Sequence, residues 1–230
     1  RQLEYAPGIF GDSAKVATLT CGVSVEQRVV TGSTTGDLYV WEGRKCVTVL
    51  SAVHLGAINT IYSHDNLSFI TGSQDGTVKV WSDGMQLKKT IEVTKIQPPS
   101  QDPEVRSVCI DPVTNTILVA TRGCEVYEFF ARGHTQIIQS HNEGQVWGLA
   151  CNPRLESVFV TAGDDQTLRV WDMEQKQLSK KLNTESAMRA VAYSADGAQL
   201  CVGFGGAVKA GKKEGAFMVL QGDTQLTLIH

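Results

Sequence analysis

An all-β fold built from repeated units of four short strands follows from three features of this 230-residue chain. The first is composition: 25 Val, 11 Ile and 20 Thr stand beside 22 Gly. That mixture favours many short strands joined by tight turns. The second is periodicity, since no stretch keeps a 3.6-residue apolar repeat long enough for a convincing helix. The third is an eleven-residue segment that recurs along the chain.

Thr31-Gly32-Ser33-Thr34-Thr35-Gly36-Asp37-Leu38-Tyr39-Val40-Trp41 returns as Thr71-Gly72-Ser73-Gln74-Asp75-Gly76-Thr77-Val78-Lys79-Val80-Trp81. It returns again as Thr161-Ala162-Gly163-Asp164-Asp165-Gln166-Thr167-Leu168-Arg169-Val170-Trp171. Weaker copies run from Ala120 to Phe129 and from Glu214 to Leu220. Taking Trp41, Trp81, Phe129, Trp171 and Leu220 as anchors, the spacings are 40, 48, 42 and 49. In each unit the first strand starts apolar and stops at Pro or Asp-Gly, as in Val105 to Pro112, Val146 to Pro153 and Met188 to Gly197. The second strand runs into the Thr-Gly-Ser turn. A tight hairpin leads to a third strand ending at the anchor. The fourth is more polar, as in Gln86-Leu87-Lys88-Lys89-Thr90-Ile91-Glu92-Val93, which suits a strand facing solvent.

Four-strand repeats of about 40–45 residues with Trp closing the third strand resemble WD40 β-propeller blades. The predicted fold class is therefore an all-β WD40 β-propeller with about five four-stranded blades. These fall at about 12–54, 55–95, 103–141, 142–184 and 185–230, within one partial propeller domain covering 1–230. In such propellers a His, a second-strand Thr or Ser, the turn Asp and the Trp form a hydrogen-bonded tetrad. The resemblance implies two such sets here: His54, Thr71, Asp75 and Trp81, and His141, Thr161, Asp165 and Trp171. Their chemistry is that of blade cement, because a buried imidazole and a buried carboxylate each need partners. A Ser-His-Asp nucleophile relay would also need an oxyanion hole. The other units carry Thr35, Gly123 and Glu214 at the turn-Asp position.

Bulk properties narrow the function classes. A net charge of -3 gives no basic field for nucleic acid or anionic membrane. No apolar run approaches the ~18 residues that span a bilayer. The chain opens at Arg1 without a leader, which reads as an internal cut rather than a natural start. Cys21, Cys46, Cys109, Cys124, Cys151 and Cys201 form no C-x-x-C pair, and most sit in apolar runs. They read as free buried thiols of a reducing compartment. His134 and His141-Asn142-Glu143 lack the companions of a metal site. Gly206 to Lys213 fits the front of a P-loop, but Lys213 replaces the magnesium-holding hydroxyl and no helix follows. It reads instead as a basic hairpin carrying Lys209, Lys212 and Lys213. Gln97 to Pro103 reads as a Pro-rich surface connector. No catalytic residue, cofactor, metal or small-molecule substrate is expected.

Candidate partner-binding residues sit at two repeated positions. One lies just inside each first strand: Asn59, Arg106, Trp147 and Arg189. The other precedes the turn Asp: Thr34, Gln74, Arg122 and Asp164. The WD40 resemblance places both around one narrow face. Trp and Arg dominate binding hot spots, which singles out Trp147 with Arg106 and Arg189. Lys212 on the basic hairpin is a further candidate.

The order of segments points to a particular family. Leu3-Glu4-Tyr5-Ala6-Pro7-Gly8-Ile9-Phe10-Gly11 precedes the first strand, and Gly36-Asp37-Leu38-Tyr39-Val40-Trp41 ends its third. Ala52-Val53-His54-Leu55-Gly56-Ala57-Ile58, Val105-Arg106-Ser107-Val108-Cys109 and Gly144-Gln145-Val146-Trp147-Gly148-Leu149-Ala150 follow. This series resembles the echinoderm microtubule-associated protein-like family, including a Trp-less blade at Glu125-Val126-Tyr127-Glu128-Phe129. The resemblance implies tandem propellers that bind tubulin, with this chain mapping to later blades of the first. The basic hairpin and the Pro-rich connector depart from the family pattern. The implied function is a non-enzymatic, cytoplasmic scaffold of the microtubule cytoskeleton whose partners are proteins, tubulin foremost. The competing reading is a generic WD40 adaptor in signalling or substrate recruitment. The chain length then reads as an incomplete set of blades with exposed edges at both ends.

Overall fold

A computed structural model describes residues 7–11, 16–63, 65, 67–111, 113–205, 208–209, 212–213, 215–221 and 227–228. The chain divides into two compact units, Arg1–Ile137 and Ile138–His230.

The first unit holds three antiparallel sheets whose strands follow chain order. Sheet one is β1 (Leu19–Val25), β2 (Arg28–Ser33), β3 (Leu38–Glu42) and β4 (Lys45–Leu50). Sheet two is β5 (Ile58–Tyr62), β6 (Ser68–Ser73), β7 (Thr77–Ser82) and β8 (Leu87–Glu92). Sheet three is β9 (Val105–Ile110), β10 (Ile117–Thr121), β11 (Glu125–Phe130) and β12 (Gly133–Gln139), whose last residues cross into the second unit. The second unit begins with sheet four: β13 (Val146–Cys151), β14 (Val158–Gly163), β15 (Thr167–Asp172) and β16 (Gln177–Asn183). Sheet five starts with β17 (Met188–Tyr193) and β18 (Gln199–Phe204). A small hairpin of β19 (Val208–Lys209) and β20 (Lys212–Lys213) intervenes. The sheet then closes with β21 (Ala216–Gln221) and β22 (Thr227–Leu228).

The anchors occupy one repeated place. Trp41 pairs Val29, Trp81 pairs Phe69, Phe129 pairs Ile117, Trp171 pairs Phe159 and Leu220 pairs Leu200. Strand alternation turns each sheet into a two-faced slab. Ile58, Phe69 and Trp81 of sheet two bury against Val25, Val30 and Leu38 of sheet one. Ile70, Val78 and Ile91 bury on the opposite face against Val105, Val119 and Tyr127 of sheet three. In the second unit, Val160, Leu168 and Val170 pack on Met188, Leu200, Val202 and Leu220. Each fully buried apolar side chain of this size contributes about 1.5–3 kcal/mol.

Two backbone features explain the repeated motif. A Cβ on Gly72 would lie 2.5 Å from Val105 Cγ1, so the Gly of Thr-Gly-Ser lets the next sheet's first strand close in. The residue after the turn-Asp position, which Thr35 fills in sheet one, is left-handed, with φ of 82° at Gly36 and 77° at Gly76. Cys124 and Gln166 take the same conformation in sheets three and four.

Two expectations need correction. Only Cys46 is buried; Cys21 and Cys109 are half-buried, and Cys124, Cys151 and Cys201 are exposed. An apolar run does not bury every member, because alternate residues face opposite sides of the sheet. Cys201 lies on the face of sheet five away from sheet four, beside exposed Ala192, and Cys124 sits in a turn. The Pro-rich connector is a surface loop only in part. Its 97–99 stretch is exposed, whereas Ser100 and Gln101 fold inward onto Glu125.

Candidate protein-interaction site

Every first strand leaves one residue out of its ladder. In β5, Ile58 pairs Ser73 and Thr60 pairs Gly72, so Asn59 is skipped. The same break skips Arg106 in β9, Trp147 in β13 and Arg189 in β17. These are β-bulges, which re-aim a side chain relative to a regular strand. The four first-strand candidates are thus the four bulge residues. Thr20 of β1 is the fifth, and the sequence reading missed it. Its hydroxyl donates to the Ile58 carbonyl of the adjacent strand.

In the second unit the bulges converge on one cluster. Trp147 remains 51% exposed. Its indole N–H donates to Asp164 Oδ2 at 3.1 Å, and the Gln145 backbone N–H donates to the same oxygen at 3.0 Å. Arg189 Nη1 stands 2.7 Å from Asp164 Oδ1, while its guanidinium carbon lies 4.7 Å from the centroid of the Trp147 ring. The Asp164 carboxyl is held below its ordinary pKa by the Gln145 N–H first, then by the Trp147 N–H and the Arg189 charge. Gly144 makes the geometry feasible: it has φ 65°, and a Cβ there would sit 2.3 Å from Asp164 Cβ. The result is a half-exposed indole clasped by one acid and one base, with Val146 and Leu149 exposed nearby in the strand.

The first unit uses the same positions differently. Asn59 is half-buried, and its amide donates to Val105 O at 2.8 Å and to Glu104 Oε1 at 3.2 Å. Arg106 pairs with Glu104 at 3.4 Å. Arg122 pairs with Glu104 at 3.4 Å and with Asp102 at 3.6 Å. Arg106 is offset by Glu104 and Arg122 by both carboxylates, and Gln74 is exposed on its turn. Arg106 and Trp147 belong to different units. The Lys212 side chain, Glu214 and the Gly206, Ala207, Ala210 and Gly211 positions of the P-loop-like segment lie outside the described residues.

The two tetrad sets are assembled, one in each unit. Trp81 Nε1 donates to Thr71 Oγ1 at 3.0 Å, and Thr71 Oγ1 lies 2.7 Å from His54 Nε2. His54 Nδ1 lies 2.9 Å from Thr77 Oγ1 and 3.3 Å from Asp75 Oδ2. In sheet four, Trp171 Nε1 donates to Thr161 Oγ1 at 2.7 Å, and Thr161 lies 2.8 Å from His141 Nε2. His141 Nδ1 stands 2.8 Å from Asp165 Oδ1. One proton arrangement satisfies each chain: Trp N–H to Thr O, Thr O–H to His Nε2, His Nδ1–H to Thr or Asp. Burial raises the Asp165 carboxyl, but hydrogen bonds from His141 and Thr167, with the charge of His141, outweigh it and bring it down to about 2. The Asp75 carboxyl is likewise held well below the carboxylate range, burial opposing and the His54, Thr77 and Leu55 hydrogen bonds prevailing.

Several residues of these networks escaped the sequence reading. Thr77 and Thr167 each donate to the turn Asp, at 2.7 and 2.8 Å, and a Thr two residues beyond that Asp was visible in both repeats. Arg169 is fully buried, donating to Thr167 Oγ1, to Gln139 O and to Asp165 Oδ2. In sheet three, Glu125 is 1% exposed and stands where sheet two has Thr77. It accepts from Thr121 and Ser100, and its charge helps burial raise the Tyr127 phenol.

The repeated four-stranded sheets define the class: an all-β WD40-repeat protein of β-propeller type. The family described as WD domain, G-beta repeat matches residues 44–82 and 132–172. Similar curated proteins carry the more particular name. The 77 kDa echinoderm microtubule-associated protein of Lytechinus variegatus is 26% identical over 76% of this chain and 26% of its own length. Echinoderm microtubule-associated protein-like 2 of Homo sapiens is 28% identical over 87% of the chain and 30% of its own length. The Ciliary WD repeat-containing protein ctxp80 of Euplotoides octocarinatus is 29% identical over 74% of the chain and 22% of its own length. The family to which the sequence motifs pointed is the one named by two of these three relatives. The chain spans about a quarter of the length of the relatives it matches.

Proposed function

We propose that this chain is a non-enzymatic interaction module of a microtubule-associated protein, engaging tubulin through the bulge residues of the second unit. The observation that carries the reading is the Trp147 clasp. A large aromatic held half-exposed by Asp164 and Arg189 has lost most of its rotamer freedom before a partner arrives, which lowers the ordering cost of binding. Trp and Arg are the residues that most often dominate interface energy. Similarity to proteins named microtubule-associated supports this partner class and a cytoskeletal location. The two His-Thr-Trp chains serve as internal fasteners, since each polar atom is occupied within its own sheet and its preceding loop. The experiment is retention of purified αβ-tubulin by the immobilised chain. Retention that weakens in the Trp147→Ala and Arg189→Ala variants supports the reading. No retention by the unaltered chain overturns it.

A further inference from the structure

We infer a second docking groove, in the first unit between sheets two and three, fitted to an extended peptide with an apolar residue flanked by carboxylates. The groove has a volume of about 370 Å³. Its floor is the edge of the buried apolar layer at Ile110, Ile117 and Phe129, which are 6%, 8% and 8% exposed. Phe130, 41% exposed, stands at one side. The opposite wall carries Lys88 and Lys89 of β8.

Two consecutive strand residues ordinarily face opposite sides of a sheet. Here Val80 pairs Lys89 and Trp81 pairs Leu87, so Lys88 is the extra residue of a bulge. That irregularity lets both side chains line one groove. Neither lysine pairs with a carboxylate among the described residues, and no carboxylate stands among the residues that line the groove. The site therefore combines two ammonium groups, unpaired with carboxylates among the described residues, with the exposed Phe130 ring beside a buried apolar floor. A carboxylate-bearing peptide with one apolar anchor answers both features. Lysines on an outer strand also discourage strand-to-strand pairing. That role alone needs no apolar floor and no convergence of neighbouring side chains. Because β8 pairs only with β7 among the described residues, its outer edge can take an extended chain.

The test is independent of the Trp147 reading, because it uses neither that residue nor tubulin. A fluorescein-labelled hexapeptide, Glu-Glu-Leu-Phe-Glu-Glu, is titrated against the chain by fluorescence anisotropy. Saturable binding is expected, weakening by about tenfold or more in Lys88→Glu/Lys89→Glu. It should also weaken as salt rises from about 0.05 to about 0.5 M. Circular dichroism of the double variant should match the wild type, since both side chains are on the surface. The partner peptide with Lys in place of Glu should bind the double variant better than it binds the wild type. Equal affinity for wild type and double variant overturns the proposal. So does the absence of saturable binding up to about 1 mM, or equal binding of a peptide with Ser in place of Leu and Phe.

Discussion

Replacing Thr71 by Val keeps the side-chain shape and removes one hydroxyl from a fully buried site. That hydroxyl serves two partners, accepting from Trp81 Nε1 at 3.0 Å and meeting His54 Nε2 at 2.7 Å. Each lost hydrogen bond costs about 1 kcal/mol net, and each orphaned buried group adds a desolvation penalty of about 1–3 kcal/mol. Trp81 is 5% exposed and His54 2%, so water cannot readily replace the hydroxyl. The expected destabilisation is about 3 kcal/mol. Sheet one supplies the control. Thr31 accepts from Trp41 Nε1 at 2.8 Å, is only half-buried and has no His partner among the described residues. Thr31→Val should therefore cost about 1 kcal/mol. Urea unfolding followed by circular dichroism measures both. With a slope of about 3 kcal/mol per molar, Thr71→Val lowers the midpoint by about 1 M and Thr31→Val by about a third of that. A Thr71→Val cost within about 0.5 kcal/mol of wild type, or equal to that of Thr31→Val, would refute the idea that the chain through His54 acts as a unit.

Other consequences can be checked separately. The folded Asp165 carboxyl at about 2 lies below its value in an unfolded chain, so its contribution of about 2 kcal/mol is present above about pH 4 and fades as pH falls toward 2. Urea midpoints measured between pH 7 and pH 2.5 should fall over that window, and less steeply in Asp165→Asn. Gly144→Ala should displace Asp164 and loosen the Trp147 clasp, seen as a red shift and increased quenching of indole emission, because no Cβ fits beside Asp164. Thiol labelling of the native chain should modify Cys124, Cys151 and Cys201 quickly and Cys46 last, as mass spectrometry of the peptides would show.

The fold was legible because its signals are periodic. Trp41, Trp81 and Trp171 at one ladder position, each beside a Gly- or Asp-rich turn, announce a repeat that composition alone does not reveal. Asn59, Arg106, Trp147 and Arg189 could be aligned because each precedes an apolar or small strand residue. That they are bulge residues depends on backbone pairing, which sequence does not display. Thr20 was overlooked for a related reason: its small side chain looks like ordinary strand filler. Glu125 was hidden by register, since it replaces a Thr and not the turn Asp. Arg169 was missed because a charge inside Leu-Arg-Val-Trp reads as a solvent-facing position, whereas Asp165, Thr167 and Gln139 together meet it inside. The cysteines misled in the opposite direction, because apolar neighbours in a strand do not say which face is covered.

The most direct measurement is the dissociation constant for αβ-tubulin of the wild-type chain and of Trp147→Ala. Losing the exposed indole should cost the fold only about 1 kcal/mol, for one hydrogen bond and one cation–π contact. It should cost binding about 2 kcal/mol, a weakening of about 30-fold, with unfolding midpoints close to wild type. A Trp147→Ala chain that binds tubulin as tightly as the wild type would contradict the assignment of the Trp147 clasp as the interaction site.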